Sequence, residues 1–322
     1  MIGFGREIST MTKLRSFWGI LKETFSEWTA SSASKDSASM AYNAIFALPG
    51  LLIIIIWTAG HFFGEEAVNG EVRRQIQGIM GYEGAKSIQD IIASAMIDKE
   101  NFWMKALGVA TLVFGATSLF FQMQTTLNNL WDVEASPKKA WQKFILDRAN
   151  SLGMILVIAF LLLISMILSS VIGLANDLIT KYFGLEAYAL IQGSNFILGF
   201  AVVTVLFAIM FKVLPDVEIK WKSVWIGAVV TALLFNIGKM AMSFYFDVSK
   251  PTSVFGAAGT VILLMMWINY SCQLIFFGAE FTKIYAYKKG HKIVPSKHAK
   301  WSKSKLYRDA EAEKNQLVPQ ES

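Results

Sequence analysis

The sequence predicts an all-α, polytopic membrane protein with six transmembrane helices. Three observations predict it: six long stretches nearly free of charge, a composition too apolar for a soluble domain, and lysine and arginine concentrated on alternate sides of the stretches. The stretches are 37–60, 106–131, 149–176, 187–211, 223–246 and 251–279, the fifth broken only by Lys239. A helix needs about 20 apolar residues to cross roughly 30 Å of hydrocarbon, and the fifth stretch reaches this only with Lys239 inside it. Hydrophobic residues make up 54% of the 322 and charged residues 17%, whereas soluble domains hold about 45–50% and about 25%. The spans are placed at about 39–63, 103–127, 149–176, 187–211, 223–246 and 253–280, between a 1–36 segment and a 291–322 tail.

Orientation follows from the basic residues. With the N-terminus inside, the inner segments hold five, four, three and ten Lys and Arg, and the outer ones four, one and one. Short loops obey the positive-inside rule, so both termini are expected in the cytoplasm. The net charge of +6 is thereby assigned to the membrane surface rather than to nucleic acid. The chain has a single cysteine, Cys272, which permits no internal disulfide and no thiolate metal site.

Ahead of the first span, Leu14, Phe17, Trp18, Leu21, Phe25 and Trp28 recur at helical spacing among Lys13, Arg15 and Lys22. They predict an amphipathic helix, and both a place in the membrane interface and packing against the bundle fit the spacing. Pro49 removes a backbone donor inside the first span and predicts a kink near residue 46. Residues 65–100 form the one sizeable outer loop, with apolar positions spaced for two short capping helices. Trp131 and Trp141, beside Lys138, Lys139 and Lys143, read as interfacial anchors. The third and fourth spans, rich in Leu, Ile and Val, read as largely lipid-facing. The lysine-rich and then Glu-, Gln- and Ser-rich tail reads as disordered near anionic head groups. No internal repeat is visible.

Lys239 is the first functional candidate, because an ionisable group inside a span costs several kcal/mol even on lenient scales, about 2.5–3.5 kcal/mol. Snorkelling or structural pairing competes with anion binding as its role. Asn236 and Ser243 fall on the same side of that helix, and Asn269, Gln273 and Glu280 form a second polar strip on the sixth span. With Asn43 of the first span these residues make a candidate polar path. Gly227, Gly256 and Gly259 read as close-packing positions, with Pro49 as the kink.

Enzyme signatures are missing. His61, His291 and His298 are dispersed without metal-ligand spacing, there is no phosphate-binding glycine loop, and no nucleophile with a base can be picked out. Catalytic residues, cofactors and metals are therefore all expected to be none.

Several segments together resemble the YihY/BrkB family of bacterial inner-membrane proteins, historically labelled ribonuclease BN. They are Ala38-Ser39-Met40-Ala41-Tyr42 through Ala47-Leu48-Pro49, Leu127-Asn128-Asn129-Leu130-Trp131-Asp132-Val133, and Leu214-Pro215-Asp216-Val217 with Trp221, Gly227 and Ala228. Phe255-Gly256-Ala257-Ala258-Gly259 through Trp267 and Tyr270 to Gly278-Ala279-Glu280-Phe281 completes the set, in order across about residues 15–290. The resemblance implies a six-helix inner-membrane fold with no settled activity, and the nuclease label lacks the clustered metal ligands it requires. The leading expectation is a transport-like role: movement or gating of a lipid, envelope component or anionic solute. The alternative is a non-transporting scaffold for envelope assembly. Membrane lipids, a second copy of the chain and envelope-assembly proteins are the expected partners.

Overall fold

The computed structural model describes residues 4–64, 102–136, 148–161, 186–249 and 257–317, with isolated positions between 66 and 89 and at 141 and 145. The helices within these segments are α1 (Phe4–Ala30), α2 (Ala33–Phe63), α3 (Phe102–Leu130), α4 (Arg148–Leu161), α5 (Glu186–Val213), α6 (Trp221–Ser249), α7 (Ala257–Lys288) and α8 (Lys303–Leu317). Among the described residues three stretches are long and apolar enough to cross a membrane: Phe196–Val213, Trp221–Tyr245 and Val261–Lys288. Ala33–Leu48 and Gly50–Ile56 make a fourth if counted as one span bent by 53°. The bend falls at Pro49, which cannot donate to the helix ladder. Gly256 and the second half of the expected third span lie outside the described residues.

α7 is the central element, packing against α1, α2, α3 and α6, while α5 packs on α6 and α2 on α3. Its antiparallel contact with α6 is built from two matched notches. A Cβ on Gly227 would overlap the side chain of Thr282, and one on Gly278 would overlap that of Thr231. The sequences Gly227-Ala228-Val229-Val230-Thr231 and Gly278-Ala279-Glu280-Phe281-Thr282 thus present the same glycine-to-threonine spacing to each other. Small residues let the backbones close up. Each threonine hydroxyl donates to the carbonyl one turn back, Thr231 to Gly227 and Thr282 to Gly278, both at 2.7 Å. The hydroxyl protons of these two threonines are thereby paired within their own helices. Further along, Gly238 makes room for the Tyr270 ring in the same way.

The main core gathers Met40, Leu127, Trp131, Phe211, Phe276 and Ala279. α4 and α5 contribute Met154, Ile155, Ala159, Phe207 and Phe211 to it, so these helices are not merely lipid-facing, although Phe196 and Ile197 of α5 are exposed. A second cluster joins Val68, Val72 and Ile88, between α2 and α3 in the chain, to Ile53, Ile56, Leu263 and Leu264. The described positions between 66 and 89 are helical, and these three side chains roof α2 and α7.

α1 lies along the end of α7. Ile20 packs with Phe281 and Ile284, Phe17 meets Phe281 edge-on at 5.9 Å, and Trp28 meets Phe277 at 6.1 Å. Trp18, 71% exposed, and Phe25 point away from the bundle.

Two sequence expectations fail at this end. Residues 291–317 are not a disordered tail: β3 (Val294–Pro295) pairs with β2 (Val217–Glu218), and β4 (Ala299–Trp301) pairs with β1 (Val133–Ala135), both antiparallel. The physical reason is that the turns after α3 and α5 leave strand edges that need partners, and the lysine-rich segment supplies them with its backbone. Gly290, at φ +64°, ends α7 and turns the chain back; His291 N donates to Ala286 O and Gly290 N to Tyr287 O, a Schellman ending. Trp131 is no interfacial anchor either. At 1% exposure it is a core residue, in the same cluster as Val133 of β1 and with Trp301 of β4 packed against that cluster, while Trp141 is exposed.

Candidate functional site

The contacts of α6 with α7 fix where the sequence-predicted polar residues stand. Gly227, Thr231 and Gly238 mark the side of α6 that faces α7. At about 100° per residue, Asn236, Lys239 and Ser243 centre roughly 130° away from that side. On α7, Tyr270, Gly278 and Thr282 face α6, and Asn269, Gln273 and Glu280 centre roughly 150° away. The register puts Lys239 level with Tyr270 and Asn236 level with Gln273, yet the two strips turn from each other. The structure does not bring them together.

The amides of both strips bond locally. Asn236 donates back to Ala232 O at 2.8 Å, and Gln273 donates to Asn269 Oδ1 at 2.7 Å. Lys239 is half-buried and makes no ion pair among the described residues. Asn43 sits on an exposed flank, where it donates to Gln122 Oε1 at 2.6 Å while Gln122 donates to Ser39 Oγ at 2.9 Å. Gly259 is buried in α7.

Glu280 belongs to a denser arrangement. It is 2% exposed, and Lys283, one turn on, places its ammonium 3.1 Å from Oε1. That ammonium also lies 3.3 Å from Asp132 Oδ2 and donates to Leu130 O at 2.6 Å. Arg308 of α8 pairs with the other oxygen of Asp132. Oε1 of Glu280 receives charge from Lys283 but no aligned hydrogen bond. These groups line a half-open cavity of about 230 Å³, to which Glu27 and the α1–α2 junction also contribute.

Asp132 is held there by an unusual backbone. Its φ of +59° is the left-handed conformation that normally selects glycine after a helix. Aspartate tolerates it better than most residues, and here its carboxylate carries two cations.

A parallel arrangement follows α5. Asp216 accepts from Asn128 Nδ2 at 2.9 Å, and its own N–H donates to Asn128 Oδ1 at 2.7 Å. Asp132, Asp216, Lys283, Arg308 and Asn128 all escaped the sequence reading as site residues. A signal was present: Leu130-Trp131-Asp132-Val133-Glu134 and Leu214-Pro215-Asp216-Val217-Glu218 repeat one pattern, Leu-x-Asp-Val-Glu, at the ends of α3 and α5. In both, the Val-Glu pair opens a short strand that pairs with the C-terminal segment.

A further charge is half-buried on the flank of α3. Arg148, at the start of α4, donates to Thr117 Oγ1 at 2.7 Å and to Ser118 Oγ at 3.2 Å, with its guanidinium 4.6 Å from the Phe114 ring centre. Among the described residues no group of three or more His, Cys, Asp or Glu has an arrangement suited to a metal ion.

The model of the virulence factor BrkB family matches residues 24–303. A UPF0761 membrane protein of Teredinibacter turnerae is 24% identical over 267 residues, covering 82% of this chain and 60% of that protein. The ribonuclease-like protein YfkH of Bacillus subtilis is also 24% identical over 267 residues, covering 81% of this chain and 92% of YfkH. A UPF0761 membrane protein of Mannheimia succiniciproducens is 22% identical, covering 85% and 91%. The chain thus spans 60% of the length of the Teredinibacter relative and nearly all of the other two. No solved structure matches.

Proposed function

The chain belongs to the virulence factor BrkB family of membrane proteins, and on that premise we propose a transport-like role: movement or gating of a lipid, envelope component or anionic solute. The observation that carries it is the row Asn269, Gln273, Glu280 on one face of α7, which runs into the charged cavity beside Asp132 and Lys283. Polar side chains on a membrane helix avoid lipid and turn to the bundle interior or to water. A row that ends in a half-open cavity suits a path better than a packing device. Lys239 lies off this row and serves as a separate contact for an anionic group.

Within this reading the chain crosses the bacterial inner membrane six times with both termini in the cytoplasm. This is the orientation favoured by the 22 basic residues on the segments assigned inside against six on those assigned outside. α1 lies in the interface with Trp18 and Phe25 in lipid. Lipids are the principal partners, and nucleic acid is not one. No catalytic role is assigned, since the dispersed histidines supply no metal-ligand set of the kind hydrolytic nucleases use.

The test compares lipid and solute movement in liposomes containing the parent chain, Lys239→Ala or Glu280→Gln. Loss of movement in Glu280→Gln with normal folding is the expected result. Full activity in both variants sinks the path. A second reading, a non-transporting scaffold for envelope assembly, draws on the exposed aromatic face of α1. It expects Trp18→Ala with Phe25→Ala to abolish complementation while leaving the bundle intact.

A further inference from the structure

We propose that the exposed flank formed by α2 and α3 is a furrow that admits phospholipid headgroups into the inner half of the bilayer. Two polar stripes make it. On α3, Ser118, Gln122, Thr125 and Asn129 fall within about 60° of one another at about 100° per residue, and on α2, Asp36, Ser39 and Asn43 do the same. All seven are exposed or half-buried. The stripes form one surface, because Asn43 donates to Gln122 Oε1 at 2.6 Å and Gln122 donates to Ser39 Oγ at 2.9 Å.

Such a surface does not suit hydrocarbon. Ser39 and Asn43 lie in the bent stretch that is long and apolar enough to cross a membrane, and the α3 stripe lies in the charge-free run 106–131. Amides facing acyl chains without partners are strongly disfavoured. Among the described residues each of the two amides keeps one N–H, and Asn43 its carbonyl, for a further partner. Water and headgroups supply such partners at the membrane surface, and there the furrow begins. Asp36, bonded to Ser32, and the exposed Lys35 and Asn129 stand at its mouth, near the start of α2 and the end of α3. From Asn129 to Ser118 it runs about 16 Å, half of a roughly 30 Å hydrocarbon core.

Charge and walls select the occupant. At the deep end the Arg148 guanidinium lies against Ser118 and the Phe114 and Phe121 rings, and Lys35 stands at the mouth, so a cation at each end suits a phosphate. The amides between them donate to phosphate or ester oxygens and accept from an ammonium. Phe114 and Phe121 on α3 and Tyr42 and Phe46 on α2 are exposed beside the stripes, which gives acyl chains apolar walls while the headgroup stays on the amides. A phospholipid has both parts. A second copy of the chain, related by a two-fold axis along the membrane normal, would instead bring like cations to the same height in the interface. The furrow deepens the transport-like reading and rests on it for onward movement, while headgroup binding stands without it.

The experiment places the full chain in nanodiscs of phosphatidylethanolamine and phosphatidylglycerol, with a trace of phosphatidylethanolamine carrying a photoreactive diazirine on its headgroup, and maps labelled residues by mass spectrometry. The expected result is labelling within residues 39–46 and 114–125, falling about tenfold in the double variant Asn43→Leu with Gln122→Leu, which removes both amides. Thr125→Trp, at an exposed position, keeps the amides, fills the furrow and should also lower labelling. A membrane-impermeant maleimide gives a second readout. Asn43→Cys should react many times faster than Leu233→Cys, an exposed apolar position in the Trp221–Tyr245 stretch, with the buried Cys272 as background. Labelling confined to α7, undiminished labelling in the double variant, or an Asn43→Cys no faster than Leu233→Cys overturns the furrow. A disulfide joining two Asn43→Cys chains identifies a second copy as the occupant and overturns it too. A labelled flank without lipid movement in liposomes upholds the furrow and sinks the transport reading; lipid movement with an unlabelled flank does the reverse.

Discussion

Lys283 of α7 lies 3.3 Å from the carboxylate of Asp132 while donating to the carbonyl of Leu130, so one ammonium ties the last turns of α7 to the end of α3. With Glu280 at 3.1 Å on its other side, it is the charge shared by the buried carboxylate of Glu280 and the half-buried one of Asp132.

Replacing Lys283 by methionine keeps the stem but removes that charge. Removing one partner of a buried pair costs about 3–5 kcal/mol, because the remaining charge is left uncompensated. The Lys283→Met midpoint in detergent should fall by several degrees, and Glu280→Gln added to it should restore part of the loss. Additive losses in the double variant would mean the two residues do not depend on each other.

Asp132 separates backbone from charge. Asp132→Gly removes the strain of φ +59° and both ion pairs, whereas Asp132→Asn keeps the strain and removes the charge alone. Both variants lose the ion pairs, so the asparagine variant should be the less stable of the two, by at most about 1 kcal/mol, the low end of the cost of a left-handed residue. Chemical or thermal denaturation reads the order, and a more stable asparagine variant would show that the turn is not strained.

The glycine–threonine seam makes a compensation test. Gly227→Ala should destabilise the α6–α7 contact by about 1–3 kcal/mol through overpacking against Thr282. Thr282→Ala frees that space, so the double variant should recover most of the loss. Unfolding midpoints of the two single variants and the pair decide this, and the absence of recovery would place the clash elsewhere.

Truncation after residue 290 removes β3, β4 and α8 together with the Arg308 contact. It leaves the strand edges at Val133 and Val217 unpaired and takes Trp301 from the cluster that holds Trp131. The truncated chain should unfold at lower temperature and show a more exposed tryptophan emission than the full chain. An unchanged midpoint and spectrum would restore the reading of residues 291–322 as a dispensable tail.

Helix positions were legible because apolar runs of span length are a one-dimensional signal. Helices cover 33–63, 102–130, 186–213, 221–249 and 257–288, close to five of the six predicted runs. The C-terminal segment was misread for a matching reason. Its lysines announce solvent, but the strands 294–295 and 299–301 are held by backbone hydrogen bonds to partners about 80 and 165 residues away, which no local pattern encodes. Trp131 was misread because tryptophan beside lysines suits both an interface and a capped core, and only β1 and β4 decide between them.

The sequence by itself determined that the chain is a bundle of apolar helices, that ionisable groups stand among them at Lys239 and Glu280, and that small residues mark the seam of α6 with α7. Tertiary structure alone decided which groups meet. The packing of Gly227 against Thr282 rotates the two polar strips away from each other, and the left-handed turn at Asp132 brings a distant carboxylate to Lys283. A polar residue's height in a span follows from its number in the chain. Its neighbours follow from the rotation of each helix, which close packing sets.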